Sequence, residues 1–479
     1  MITTTKKGAS KSEKQVICYR ANNNKMNMCM ISNYNSKKEK GTSFFKSAIV
    51  TLIFHFSLFT FHSFAQVSST LSSYSRFGLG LLHDQSQGFN KSMGGVGLGV
   101  RIGNRINTIN PASYSAIDSL SLIFDVGMNA SFGQMKQGTA SVNVRNASFD
   151  YVHVGMRLAR KLGLAAGFVP YTNIGYDYTS PDKAVANDAL TTQAITNSNT
   201  YSGSGGLNRA YVGVGWKVYR DLSIGANVSF LWGNYDHLVV PLYKEGGVSS
   251  DYYDGTLKTY TASLKTYMID LGAQYPVRLT KQDWLNIGAT FGIGHKIAQD
   301  ATLLLVDTLF TASSPFDLPY TFGIGGAWQH KNTLLVAADL HQEFWSNCRV
   351  PADAKVGDEF RYIPQKGFYS NRTKVAAGVQ WTPDPFDKRY WKRIQYRAGV
   401  NYSTPFLKVD ENSGPREISL TVGAGLPIMN NINNRSVVNF GLQWLRRSSS
   451  AANSITEDYL LINVGVTFNE RWFQKYKIE

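Results

Sequence analysis

Between Ala210 and Tyr219 every second residue is apolar: Ala210, Val212, Val214, Trp216 and Val218 alternate with Tyr211, Gly213, Gly215, Lys217 and Tyr219. The same alternation returns in Leu222, Ile224, Ala226, Val228 and Phe230, in Ile418, Leu420, Val422, Ala424 and Leu426, and in Leu460, Ile462, Val464, Val466 and Phe468. A two-residue period is the signature of a strand with two unlike faces. A soluble sandwich would also alternate, but here the second face is largely Gly, Ser, Thr and Asn. That composition suits a wet lumen, with the apolar face turned to lipid. The expectation is an all-β transmembrane antiparallel barrel of about 14 strands, placed near 118–133, 147–159, 162–178, 198–218, 222–242, 252–277, 283–302, 315–330, 333–346, 359–381, 390–407, 416–427, 434–447 and 456–468.

The links between these segments alternate in length. Arg160-Lys161, Arg220-Asp221, 278–282, Lys331-Asn332, 382–389 and 428–433 are mostly tight, whereas 179–197, 303–314, 347–358 and 448–455 run longer. Short turns on the periplasmic rim and long loops outside are the habit of outer-membrane barrels. Aromatic residues near segment ends, including Trp232, Tyr243, Trp284, Trp328, Trp345, Trp381, Tyr390, Trp391 and Trp444, fit interfacial girdles as well as ordinary strand positions.

Export is expected from the N-terminal region. Lys37, Lys38, Lys40 and Lys46 precede an apolar run from Ala48 to Phe64, followed by Ser63-Phe64-Ala65. The run falls short of the ~20 apolar residues of a spanning helix, so it reads as a secretory signal cleaved after Ala65, within a 1–65 leader. No later stretch approaches ~18 apolar residues, which excludes a helical inner-membrane protein. Ten of the 49 basic residues and two of the 33 acidic ones lie in 1–65, so the formal +16 falls to +8 beyond it. No basic stripe or nucleic-acid motif accompanies that charge, and no nucleic-acid partner is expected. With 43 glycines, 26 tyrosines, 26 phenylalanines and only 17% charged residues, the composition favours strands. Cys348 is the single cysteine after residue 65, which rules out an intramolecular disulfide and a cysteine metal site.

Residues 66–116 do not read as lipid-facing strand, and a barrel spanning 117–479 does not need them. Their glycines lack the strand–loop–helix setting of a dinucleotide site, so no cofactor is expected. A Gly-rich stretch beside a lumen reads as a plug. Its Asn110-Pro111-Ala112, with Met93-Gly94-Gly95-Val96-Gly97 and Tyr74-Ser75-Arg76-Phe77-Gly78-Leu79-Gly80 before it and Glu470-Arg471-Trp472-Phe473 at the end, resembles the FadL-type outer-membrane transporters, in the variant found in Bacteroidota. The resemblance implies an N-terminal hatch inside a fourteen-stranded barrel of the Gram-negative outer membrane. It implies passage of a hydrophobic small molecule such as a long-chain fatty acid, and in some members a sideways exit through a kinked strand. It makes Asn110, Pro111 and Ala112 the hatch motif, with Tyr74, Phe77, Leu79, Gly94 and Gly95 as hatch or ligand contacts. The polar 179–197 loop departs from the apolar groove a fatty acid would need.

No catalytic residue is expected: a Gly-x-Ser-x-Gly elbow and a phosphate loop are missing, and none of His83, His153, His237, His295, His330 and His341 stands at metal-ligand spacing from another. Asp251 and Asp254 read as a solvated turn. Two functions remain open. One is a hatch-gated transporter. The other is a FadL-like barrel without transport, serving as a subunit or docking partner of a secretion or outer-membrane assembly machine, as some Bacteroidota relatives do.

Overall fold

The computed structural model describes residues 14–18, 29–33, 72–187, 194–245, 248–249, 257–357, 359–409, 412–428, 436–450 and 454–471. The signal run, its cleavage point, residues 66–71, Asp251, Asp254 and Trp472-Phe473 lie outside them. Met1–Val67 forms a unit of its own, in which Lys14–Cys18 and Cys29–Asn33 pair antiparallel. Ser68–Glu479 forms the second unit.

That second unit is a closed antiparallel barrel. Fourteen wall strands follow one another around it: β1 Ser121–Gln137, β2 Ala140–Ala159, β3 Leu162–Pro170, β4 Ala194–Tyr219, β5 Leu222–Glu245, β6 Lys258–Arg278, β7 Asp283–Gly292, β8 Thr321–His330, β9 Leu334–Glu343, β10 Arg372–Trp381, β11 Gln395–Ser403, β12 Arg416–Pro427, β13 Val437–Ser448 and β14 Thr456–Arg471. Each pairs with the next, and β14 returns to β1 in register from Thr456↔Lys136 to Arg471↔Ser121. Closure gives every wall strand a partner on both sides over at least part of its length, which is what a sheet needs in order to lie in lipid.

The dyad decides which side faces out. Val212, Val214, Trp216 and Val218 are exposed, as are Ile224, Val228, Phe230, Leu420, Val422, Leu460, Val464 and Phe468. These belong to the apolar face read from the sequence, and together they make the greasy outer band of an outer-membrane barrel. The protein is therefore placed in the Gram-negative outer membrane. Tight turns at 160–161, 220–221, 279–282 and 331–333 mark one rim, and the longer loops the other.

Several expected segments need correction. The 359–381 strand is two elements: Glu359–Gln365 pairs with Val350–Val356 in a hairpin apart from the wall, and only Arg372–Trp381 joins the barrel. The 390–407 strand begins at Gln395, because Tyr390–Arg393 forms a helical turn. The segments 283–302 and 315–330 shrink to β7 and β8, and the chain between them makes an added hairpin, Ala301–Leu305 with Thr308–Ala312, laid on β6. Conversely, 134–146 is no loop: β1 and β2 run on to a turn at Gly138. The polar 179–197 link likewise carries a strand, Lys183–Asn187, on β4.

The interior holds residues 72–117, a plug in the lumen for which the word hatch names a place and not a movement. Phe89, Met93, Val96 and Val100 bury against Ala327, Leu335, Ala337 and Ala376, while Ile106, Tyr114 and Ile117 bury against Ile123, Ala165 and Tyr211. Each such side chain removed from water contributes about 1.5–3 kcal/mol.

Candidate functional site

Pro111–Ala116 forms a short 3-10 helix whose N-cap is Asn110. The Asn110 Oδ1 accepts from the Ala112 amide at 3.1 Å, while its Nδ2 donates to Leu98 O at 2.9 Å and to Ala273 O of β6 at 3.0 Å. One side chain thus caps a helix, braces the hatch on itself and ties it to the wall, which is a physical reason for asparagine here. Pro111 lies against β5 and β6 so closely that a Cβ at Gly225 would sit 2.5 Å from its carbonyl oxygen. Ala112 is fully buried.

That closeness is general around the lower lumen. A Cβ at Gly163 would meet Tyr114 O at 1.9 Å, at Gly288 Leu98 O at 1.8 Å, and at Gly399 the Gly94 amide nitrogen at 2.2 Å. At these positions the inner face is glycine because the hatch backbone lies directly on the wall. Gly94 itself, with φ +70°, fits a left-handed turn against β10 and β11. Its amide donates to Thr421 at 2.9 Å, and its carbonyl accepts from Asn401 at 3.1 Å.

Charged wall residues complete the attachment. Asp339 accepts from the Gly97 and Leu98 amides at 2.6 and 2.9 Å. Asp150 of β2 takes an ion pair from Lys91, with His83 at 2.9 Å and Asn129 at 3.0 Å. Glu457 of β14 accepts from Ser72 Oγ at 2.7 Å and from the Ser73 amide at 3.1 Å. Sequence reading missed Lys91, Asp150, Asp339 and Glu457. Their signal was present, since Asp150, Asp339 and Glu457 are acidic residues at inward positions of strands, where an isolated charge is costly.

The remaining sequence candidates lie nearer the long loops. Tyr74 is buried and its hydroxyl donates to Ile455 O. Phe77 packs against the Tyr74, Trp345, Tyr369 and Phe406 cluster. Leu79 buries beside Leu231, Leu303 and Phe316, and its amide donates to the Tyr369 hydroxyl at 3.1 Å. Gly95, with φ +81°, borders a cavity of about 340 Å³.

The hatch separates two spaces. The outer one is lined by Asp84, Lys91, Arg209, Asp270, Lys374 and the chain Glu343–Arg372–Glu417–Arg447, whose links measure 2.9, 3.2 and 2.7 Å. Burial favours the neutral Asp84, but Lys374 and Lys91 outweigh it and hold its carboxyl at about 2. The inner one, about 450 Å³, lies between the hatch residues Ile102, Asn104 and Arg105 and the short-turn rim. Beside the outer cavity the wall is incomplete. Among the described residues β2 and β3 pair only from Val152↔Phe168 to Ala159↔Leu162. Past Pro170 the chain turns in, so that Thr172 and Asn173 pair with Leu82 and Leu81 of the hatch segment.

A hatch-filled fourteen-strand barrel narrows the choice of relatives. A family model described as BamG matches residues 45–479. The chain belongs to the BamG family. Three solved structures share the architecture of this BamG-family chain. The Ralstonia pickettii toluene transporter TbuX is 18% identical, with 81% of this chain and 98% of that one covered at a TM-score of 0.53. The P. putida toluene transporter TodX is 15% identical over 82% and 100%, TM-score 0.53. A Pseudomonas aeruginosa FadL homologue is 12% identical over 81% and 99%, TM-score 0.54. These likenesses establish the fold. No curated protein matches the sequence at a significant level.

Proposed function

We propose that this BamG-family barrel works with its lumen closed, as an outer-membrane subunit or docking partner of a secretion or assembly machine. The observation that carries the reading is the bedding of the hatch: its backbone rests on wall glycines around the lumen and is tied to β2, β6, β9, β11, β12 and β14. Releasing it means breaking the Lys91–Asp150 pair, the two amide bonds to Asp339 and the Asn110 latch together. The outer cavity supports the same reading, because its ion-paired lining would charge an apolar solute a desolvation cost and give little contact in return. Purification from the native host in a mild detergent is the test: a stoichiometric protein partner is expected, and a solitary barrel carrying an apolar small molecule would overturn the reading.

A second reading, passage of a hydrophobic small molecule past the 66–116 hatch, rests on a different observation. The unpaired seam between β2 and the inward-turned Thr172–Thr179 segment offers a sideways route at the level of the outer cavity. The shared architecture with two toluene transporters supports it as well. Under this reading, removing residues 66–116 changes uptake of an apolar tracer while the barrel stays folded, and unchanged uptake counts against it.

A further inference from the structure

Two buried arginines meet where the hatch faces the inner cavity, one from the hatch and one from the wall, and both are answered mainly by neutral groups. Arg105 of the hatch and Arg397 of β11 are each 4% exposed. They share the side-chain oxygens of Gln380 and Gln395: Arg105 donates to both, and Arg397 donates to them at 2.9 and 2.5 Å. Arg397 also donates to Asn439 at 2.7 Å. Neither makes an ion pair among the described residues. A buried carboxylate, Asp125, faces both from beyond ion-pair distance, and its Oδ1 accepts from Tyr151 and Thr467 at 3.3 and 3.2 Å. Two buried guanidinium groups without an ion pair leave positive charge uncompensated, and the Arg105 Nε has no hydrogen-bond partner. A buried charge without its counter-ion is expensive, so such an arrangement points to an anion supplied from outside.

Arg105 lines the inner cavity of about 450 Å³, and a third guanidinium, Arg393, stands on its rim beside the 382–394 turn. Ile102, Leu334, Leu335 and Phe386 give the same cavity an apolar wall. We infer that this cavity binds one oxyanion group, a carboxylate or a phosphate monoester, borne on a ligand with a compact apolar body and entering from the short-turn rim. The planar fork of Arg105 suits either head group, and Gln380 and Gln395 hold that fork in place. The cavity has the size of an ordinary small-ligand site. It lies on the other side of the hatch from the ion-paired outer cavity, and the inference stands whether the barrel docks a partner or passes a solute.

Fluorine NMR on the purified protein in a neutral maltoside detergent tests it, with 4-fluorobenzoate, 4-fluorophenyl phosphate and the uncharged 4-fluorobenzyl alcohol as probes. At least one anionic probe is expected to saturate a single site and to bind tenfold or more tightly than the alcohol. Arg105→Gln should weaken that binding by tenfold or more, and Arg393→Gln by a few-fold. The stronger anion identifies a carboxylate or a phosphate source. Absence of binding by both anions, binding equal to that of the alcohol, or affinity unchanged in the variants would overturn the inference. Should Arg105→Gln fail to fold, Arg393→Gln and Phe386→Ala, which touch only the rim, decide between these outcomes.

Discussion

The inner and outer halves of the lumen are built on opposite rules. Where the hatch rests on the wall the inward residues are glycine, so that main chain lies on main chain at Gly163, Gly288 and Gly399, and the inner cavity is left beneath it. Toward the long loops the wall carries long charged side chains, Arg372, Glu417 and Arg447 among them, around an open cavity. The same inward strand positions thus serve two ends: where the hatch main chain lies directly on the wall, side chains are removed, and around the outer cavity side chains pair across the gap.

If that contrast is right, the severest single change should be loss of the charge that joins the two halves. Lys91→Met leaves Asp150 in a nearly dry site with only His83 and Asn129 to answer it, at an expected cost of about 3 kcal/mol, read as a lowered unfolding midpoint in detergent. Gly399→Val comes next: its Cβ would strike the Gly94 and Met93 main chain. A loss of about 1–3 kcal/mol, together with faster proteolysis of residues 72–117, is expected. An intact, protected hatch in that variant would break the comparison. Asn110→Ala leaves the Leu98 and Ala273 carbonyls short of a donor, at about 1–3 kcal/mol.

The smallest effect concerns pH. The Asp84 carboxyl is held at about 2, below its ordinary 3.8. A depressed carboxyl contributes stability that is present above about pH 4 and is lost as pH falls toward 2. Because Asp84 is partly open to the cavity, the contribution is about 1 kcal/mol. Asp84→Asn should remove it at neutral pH and flatten the acid limb of a stability profile; an unchanged limb would show that the outer half does not depend on this charge.

Much of the wall could be read from the sequence because lipid imposes a strict dyad: Val212 to Val218 and Leu460 to Phe468 stand outward as the alternation requires. The errors fell where lipid exerts no control. Glu359–Gln365 alternates like a wall strand but pairs in a hairpin away from the wall, and Tyr390–Arg393 continues an aromatic pattern through a turn. The sequence singled out Asn110 but not its wall partner, since Ala273 comes from a distant strand that only the closed barrel brings to it. The Arg105–Arg397 pair was hidden for the same reason, and the polar inner face looked wet because a glycine that admits water and a glycine that admits main chain are written alike.

The bond from Ser72 to Glu457 has a consequence in time. It joins residues 385 positions apart and needs β14, the last strand of the barrel wall. Contacts so distant along the chain form late, so this end of the hatch cannot be fastened until the final strand has been made and laid against the first. The latch therefore acts as a completion mark: a chain released before its last strand would carry its first segment loose, exposed to proteases that a finished molecule resists.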